Sequence, residues 1–342
     1  MEGKPPAPRP RREAADGGGA NGRAQRFDDP RSDPWLVPCT SRAWRMECPD
    51  PQPILELLEA PCPTIGQPRP EVGLRAGAGR VDIARVDGAS AIVACVASSP
   101  LQLLAPSPRG RCAWIISASH GGGLLAGDEV SLEVDVGAGA VALLSTQAGT
   151  KIYRSRGEVA SQGLSARVGA GALLAALPHP VSCFSGARFR QEQRFELARG
   201  ASLLWLDALV AGRIARGERW AFDEYRSRIE VAIDGRTVLA DALRLVPGEG
   251  PPIVARLPGV ELLATVVALG PAVASAAREL LERVAASPAE RDAGVLAAAS
   301  PLRDGLLLRV ASRSVEAGLA FLRQRLAFVE AVTGADPFAR TP

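Results

Sequence analysis

From about residue 80 onward, apolar and polar positions alternate with a period of two. Val130, Leu132, Val134 and Val136 alternate with Glu129, Ser131, Glu133 and Asp135, the pattern of a half-buried strand. The pattern also recurs. LEVDVGAGAVALLSTQ (132–147), LSARVGAGALLAALPH (164–179) and RFELARGASLLWLDAL (194–209) each read as strand, glycine-containing tight turn, apolar strand and polar loop. RIEVAIDGRTVLADAL (228–243) fits more loosely, with Asp234-Gly235 as a hairpin signal, and VDIARVDGASAIVACV (81–96) reads as an earlier copy. The turn glycines 139, 171, 200 and 235 are separated by 32, 29 and 35 residues. Such spacing points to stacked supersecondary units, none of which buries its apolar face alone. Two architectures meet the pattern at this point: coils layered as in a solenoid, or an antiparallel sandwich of similar hairpins.

Helical period comes late. Val273, Ala276, Ala277, Leu280, Leu281 and Val284 share one face, and Arg278, Glu279, Glu282 and Arg283 the other, which predicts a helix over about 272–285. Leu319, Leu322, Leu326 and Val329 predict a second over 315–332, with Gly334 as its stop. Leu306–Val310 reads as a strand between them. The expected fold class is mainly β, with stacked strands resembling a β-helix and two C-terminal helices.

Composition sets the boundaries. The chain has 342 residues, 47% of them hydrophobic, enough for a sizeable core. Fourteen of the 28 prolines fall within residues 1–70, beside Gly17-Gly18-Gly19, so 1–70 reads as a disordered extension and 71–342 as the folded domain. Met46, the one internal methionine in that stretch, is an alternative start. Forty Lys and Arg against 37 Asp and Glu leave a net charge of +3, too weak a field for a dedicated nucleic-acid surface. The longest apolar stretch, 262–277, contains Gly270-Pro271 and is short for a membrane span. With no apolar signal core at the N-terminus, the six cysteines are expected as reduced thiols in the cytoplasm.

The scarce residue types mark where recognition or chemistry is concentrated. Only Lys4 and Lys151 are lysines, and His120, His179, Tyr153 and Tyr225 all lie between 120 and 225. In a stacked architecture the loops after the repeats, 145–154, 177–189 and 212–218, lie above one another on one edge. That gathers Thr150, Lys151, Tyr153, His179, Arg213, Arg216 and Glu218 on one surface. The same residues also read simply as solvated loops with local Arg–Glu pairs. His120-Gly121-Gly122-Gly123 matches an esterase oxyanion string, but the chain has no G-x-S-x-G elbow, and the glycines read as a tight turn. There is no G-x-x-x-x-G-K-[ST] for a nucleoside triphosphate.

In order, GGGLLAGD (121–128), STQAGTKIYRS (145–155), LPHPVSCFSGARF (177–189) and GRIARGE (212–218) resemble the UreD (UreH) family of urease accessory proteins. The resemblance implies a non-catalytic maturation factor with no catalytic residue and no tightly bound cofactor. It binds the urease apoenzyme subunits with UreF, engages the GTPase UreG through UreF, and assists nickel insertion, with no nucleic acid or membrane as partner. Thr146, Gln147, Thr150, Lys151, Tyr153, Arg154, Arg213 and Arg216 are then the candidate partner-gripping residues. For a transient nickel route the first candidate is Glu218, with His179 and Cys183 beside it. Two other classes stay open, a hydrolase on a β-rich fold and a nickel-storage protein.

Overall fold

The computed structural model describes residues 74–106, 110–287, 290 and 292–338; the extension expected at 1–70 lies outside the described residues. The strands are β1 (Ala78–Val86), β2 (Ala89–Ala97), β3 (Leu101–Leu104), β4 (Ala113–Ser119), β5 (Glu129–Val136), β6 (Val141–Thr146), β7 (Lys151–Ile152), β8 (Ala160–Val168), β9 (Leu173–Ala176), β10 (Val181–Cys183), β11 (Arg188–Leu197), β12 (Ser202–Val210), β13 (Glu224–Ile233) and β14 (Arg236–Leu245). A short helix α1 (Ile253–Arg256) leads to β15 (Leu262–Leu269) and helix α2 (Ala274–Ala285). A hairpin of β16 (Val295–Leu302) and β17 (Gly305–Ser312) follows, then α3 (Val315–Arg325) and α4 (Phe328–Thr333).

The strands form a seven-stranded sheet, β14-β13-β11-β8-β5-β1-β2, and a ten-stranded sheet ordered β16-β17-β15-β12-β9-β6-β4-β3, with β7 and β10 joined at its side. The repeats decide between the two architectures. β1, β5, β8, β11 and β13 pair in parallel in the first sheet, and β4, β6, β9 and β12 in parallel in the second. Each glycine turn lifts the chain from one sheet to the other, so successive copies are coils of a solenoid-like stack. They keep register: Val136, Val168, Leu197 and Ile233 are neighbours on one side of the corner, and Val141, Leu173 and Ser202 on the other. The corners themselves are linked, Gly139 N–H donating to the Ala170 carbonyl at 3.0 Å.

The copies expected at 81–96 and 228–243 differ. Both are antiparallel hairpins within the seven-stranded sheet, at its two ends. The turn chemistry accounts for this. Asp87-Gly88 and Asp234-Gly235 each put two consecutive residues at positive φ, the two-residue turn that folds a strand back on itself. In Gly137-Ala138-Gly139-Ala140 only Gly139 does so, and the chain rounds a corner instead.

Leu132, Val134, Phe195, Leu203, Trp205 and Val267 fill the space between the sheets. A second core lies on the outer face of the ten-stranded sheet, where Leu204, Leu206, Val266 and Leu308 meet Leu280, Leu322 and Val329 of the helices. β12 is therefore covered on both faces and reads as a near-continuous apolar run, whereas β5, wet on one face, alternates. α2 matches the expected first helix. The second is broken: Leu326 leaves helical geometry at φ −100° and ψ 12°, splitting 315–332 into α3 and α4 while Leu322, Leu326 and Val329 all stay buried. Among the described residues no helix is long and apolar enough to cross a membrane.

Candidate functional site

The three loops lie on one flank, opposite the glycine corners. Their backbones form a ladder. Leu124 bridges Ile152, Lys151 neighbours Ser182, and Ser182 neighbours Val210. Leu124 N–H donates to Lys151 O at 2.8 Å, Ser182 N–H to Thr150 O at 2.8 Å and Phe184 N–H to Ile152 O at 3.0 Å. Close approach requires glycine here: a Cβ on Gly123 would lie 2.4 Å from Lys151 O. Beneath the ladder sits a third core of Leu124, Ile152, Val181, Cys183, Phe189, Trp220, Phe222 and Tyr225.

The side chains continue across the coils. Tyr153 meets Phe184 edge-on with ring centroids 5.4 Å apart, and the Arg213 guanidinium lies 4.3 Å from the Phe184 centroid. Arg213 also holds Glu218 through two nitrogens, with Nε to Oε2 at 2.9 Å, and Ser185 N–H donates to the same Oε2 at 3.1 Å. The Arg213 hydrogen bonds hold the Glu218 carboxyl below the usual range. Thr146 Oγ1 accepts from His179 N–H at 2.8 Å and lies 3.2 Å from its Nδ1. Arg154 packs against Gly186, while Gln147, Lys151, Arg154, Arg216 and His179 are exposed and Thr150 is half-buried. All eight sequence-derived docking candidates thus share this flank.

The three nickel candidates do not converge. His179 faces outward, Cys183 is buried and Glu218 is engaged by Arg213. Burial pushes the Cys183 thiol up, and the charge of Asp207 adds to it. Among the described residues no group of three or more His, Cys, Asp and Glu stands where it could hold a metal ion.

Inside the stack is a polar cluster that sequence reasoning missed. Gln191 Nε2 on β11 lies 2.7 Å from Asp207 Oδ2 on β12, 2.8 Å from Tyr225 OH and 3.0 Å from Ser227 Oγ, the last two on β13, and its two N–H groups are shared among them. Ser227 donates to Asp207 at 3.2 Å. Burial pushes the Asp207 carboxyl above its usual range although these hydrogen bonds oppose it, and burial raises the Tyr225 phenol as well. One sequence signal was available, a single acid inside the apolar run Ser202–Val210.

Comparison with known proteins adds to this geometry. A family model described as UreD urease accessory protein matches residues 75–341. A urease accessory protein UreD of Sorangium cellulosum is 52% identical over 267 residues, 78% of this chain and 84% of the relative. A urease accessory protein D of Arabidopsis thaliana is 33% identical over 291 residues, 76% of this chain and 99% of the relative. Its counterpart in Oryza sativa subsp. japonica is 32% identical over 297 residues, 78% of this chain and 96% of the relative.

Proposed function

We propose, from the premise that this chain belongs to the UreD family of urease accessory proteins and has a role in urease maturation, that it is a non-catalytic cytoplasmic scaffold. On this reading it binds the urease apoenzyme with UreF, engages the GTPase UreG through UreF and assists nickel insertion. The observation that carries the reading is the stacked loop flank. Tyr153, Phe184 and Arg213 are in contact across successive coils, and Lys151, Arg154 and Arg216 stand exposed beside them. A rigid ridge of aromatic and guanidinium groups suits protein docking, because little entropy is left to lose on binding.

Nickel is the cargo. A scaffold that holds donor and acceptor together raises effective concentration without a tight site of its own, and a tight ligand cage would trap the ion. The route we infer includes His179, Cys183 and Glu218. Lys151, Arg213 and Arg216 repel a cation and serve docking instead.

Co-expression with urease structural subunits, UreF and UreG tests the reading. The chain is expected to co-purify with the apoenzyme, to show no turnover alone and to raise urease nickel content. Unchanged nickel loading in its absence would end the reading. Within it, Glu218→Ala is expected to lower activation while co-purification persists; unchanged activation removes Glu218 from the route.

A further inference from the structure

Where β11 and β13 run side by side, the outer face of the seven-stranded sheet sets opposite charges next to one another: Arg188 by Glu224, Glu192 by Arg228 and Arg194 by Glu230. Arg188 and Glu224 close to 2.7 Å, and Arg194 and Glu230 to 3.8 Å. Such cross-strand pairs stabilise a sheet, whereas like charges directly opposite destabilise it. The register of Arg190 breaks the pattern. Arg190 lies beside Arg226, and Arg226 beside Arg244 on β14, so three arginines stand in one row on backbones about 4.8 Å apart. The row is not neutralised from within. Glu224 is divided between Arg188 and Arg226, the latter at 2.6 Å, and Glu249 holds Arg244. Arg190 is exposed and, among the described residues, has no ion pair or side-chain hydrogen bond; it acts on Glu224 only through its field. The other like pair on this face, Asp82 by Asp135, differs: Arg80 binds Asp82 at 3.0 Å and Arg167 stands at the register of Asp135.

We propose that this arginine row is a docking surface for an acidic segment of the protein partner that the loop flank receives. The proposal rests on the docking reading of that flank and extends it onto the sheet. The two surfaces are continuous. Arg154 bridges Ala187, the residue before Arg188, and Arg188 Nη1 donates to the Gly157 carbonyl at 3.4 Å. A basic track therefore runs from Lys151 and Arg154 on the loops through Arg188 to the row. Guanidinium forks match carboxylates in pairs, and an incoming carboxylate relieves the repulsion that the row carries when free. The occupant is a protein segment and not a nucleic acid, because a phosphate backbone crossing this face meets Glu192 and Glu230 in the rows beyond.

The test is the affinity of the full chain for the apo-urease–UreF assembly, measured by biolayer interferometry over a salt series, beside thermal unfolding of each variant. Wild-type affinity is expected to fall as salt rises. Arg190→Glu is expected to weaken binding by about tenfold or more and to flatten the salt dependence without loss of thermal stability, since it removes repulsion within the row. Arg190→Gln is expected to give a smaller loss in the same direction, and serves if the charge reversal disturbs folding. Arg278→Glu, on the exposed face of α2, makes the same change of net charge away from the track and is expected to leave binding unchanged. Wild-type affinity in both Arg190 variants overturns the proposal, as does an equal loss with Arg278→Glu. So does an Arg190 effect confined to binding of a duplex oligonucleotide. Phe184→Ala separates the failures: if it weakens binding while the Arg190 variants do not, the loop flank stands and the row falls; if it too has no effect, the docking reading falls with it.

Discussion

The two flanks of the coil stack solve the same problem in different ways. Both must carry the chain from one layer to the next. On the corner flank, Gly171 is there for its backbone, at φ +67° with nothing within 4 Å of an added Cβ, while Gly169 beside it is there for room, a Cβ on it lying 2.7 Å from Ala138 N. On the loop flank, Gly123 is there for room: a Cβ on it meets Lys151 O and, at 2.7 Å, the Tyr153 ring. The corners carry glycine and alanine with Arg199 as the one larger side chain, whereas the loops carry the aromatic rings, Arg213, Arg216, Lys151 and His179. The difference separates a flank that only turns the chain from one that also presents a surface.

The largest test of that contrast is Gly123→Ala. Its methyl enters the neighbouring coil, and a loss of about 3 kcal/mol in urea unfolding is expected. Phe184→Ala comes next. It removes the ring between Tyr153 and Arg213, with an expected cost of about 2 kcal/mol and loss of apo-urease co-purification. Gly171→Ala tests the other flank. Only backbone strain is added, so about 1 kcal/mol is expected with urease activation unchanged; a loss of activation there would break the comparison.

The smallest effect concerns the interior. The Asp207 carboxyl is raised in the fold by burial. A raised carboxyl favours folding below its unfolded pKa, and that contribution is lost as pH rises through the folded value. Asp207→Asn removes this dependence. Relative to wild type, the variant is expected to gain stability between acid and neutral pH in paired urea titrations. If wild type gains instead, the carboxylate is stabilised in its charged form and the inferred raised value is wrong.

The stack was legible because its signal is repeated. Three copies in sequence register pointed to layers and to the alignment of the loops that follow them, with an antiparallel sandwich left open until the parallel pairing decided it. The hairpins at 81–96 and 228–243 were read as further copies because their apolar pattern is the same; only the turn dipeptides, Asp87-Gly88 and Asp234-Gly235, separate a fold-back from a corner. The break at Leu326 left no trace, since Leu322, Leu326 and Val329 keep helical spacing across it. The Gln191–Asp207–Tyr225–Ser227 cluster was hidden for another reason. It depends on which residues of three strands face one another across two sheets, and no local pattern states that. The Arg213–Glu218 pair spans five residues within one loop, and was legible as one of the local Arg–Glu pairs that the loop sequence offers.

The central claim is that the loop flank is the docking surface. Hydrogen–deuterium exchange on the chain, alone and bound to apo-urease with UreF, tests it most directly. The account predicts new protection at 145–155, 177–189 and 212–218, with the corners at 137–140, 169–172 and 198–201 unchanged. Protection at the corners and none on the loops would contradict it.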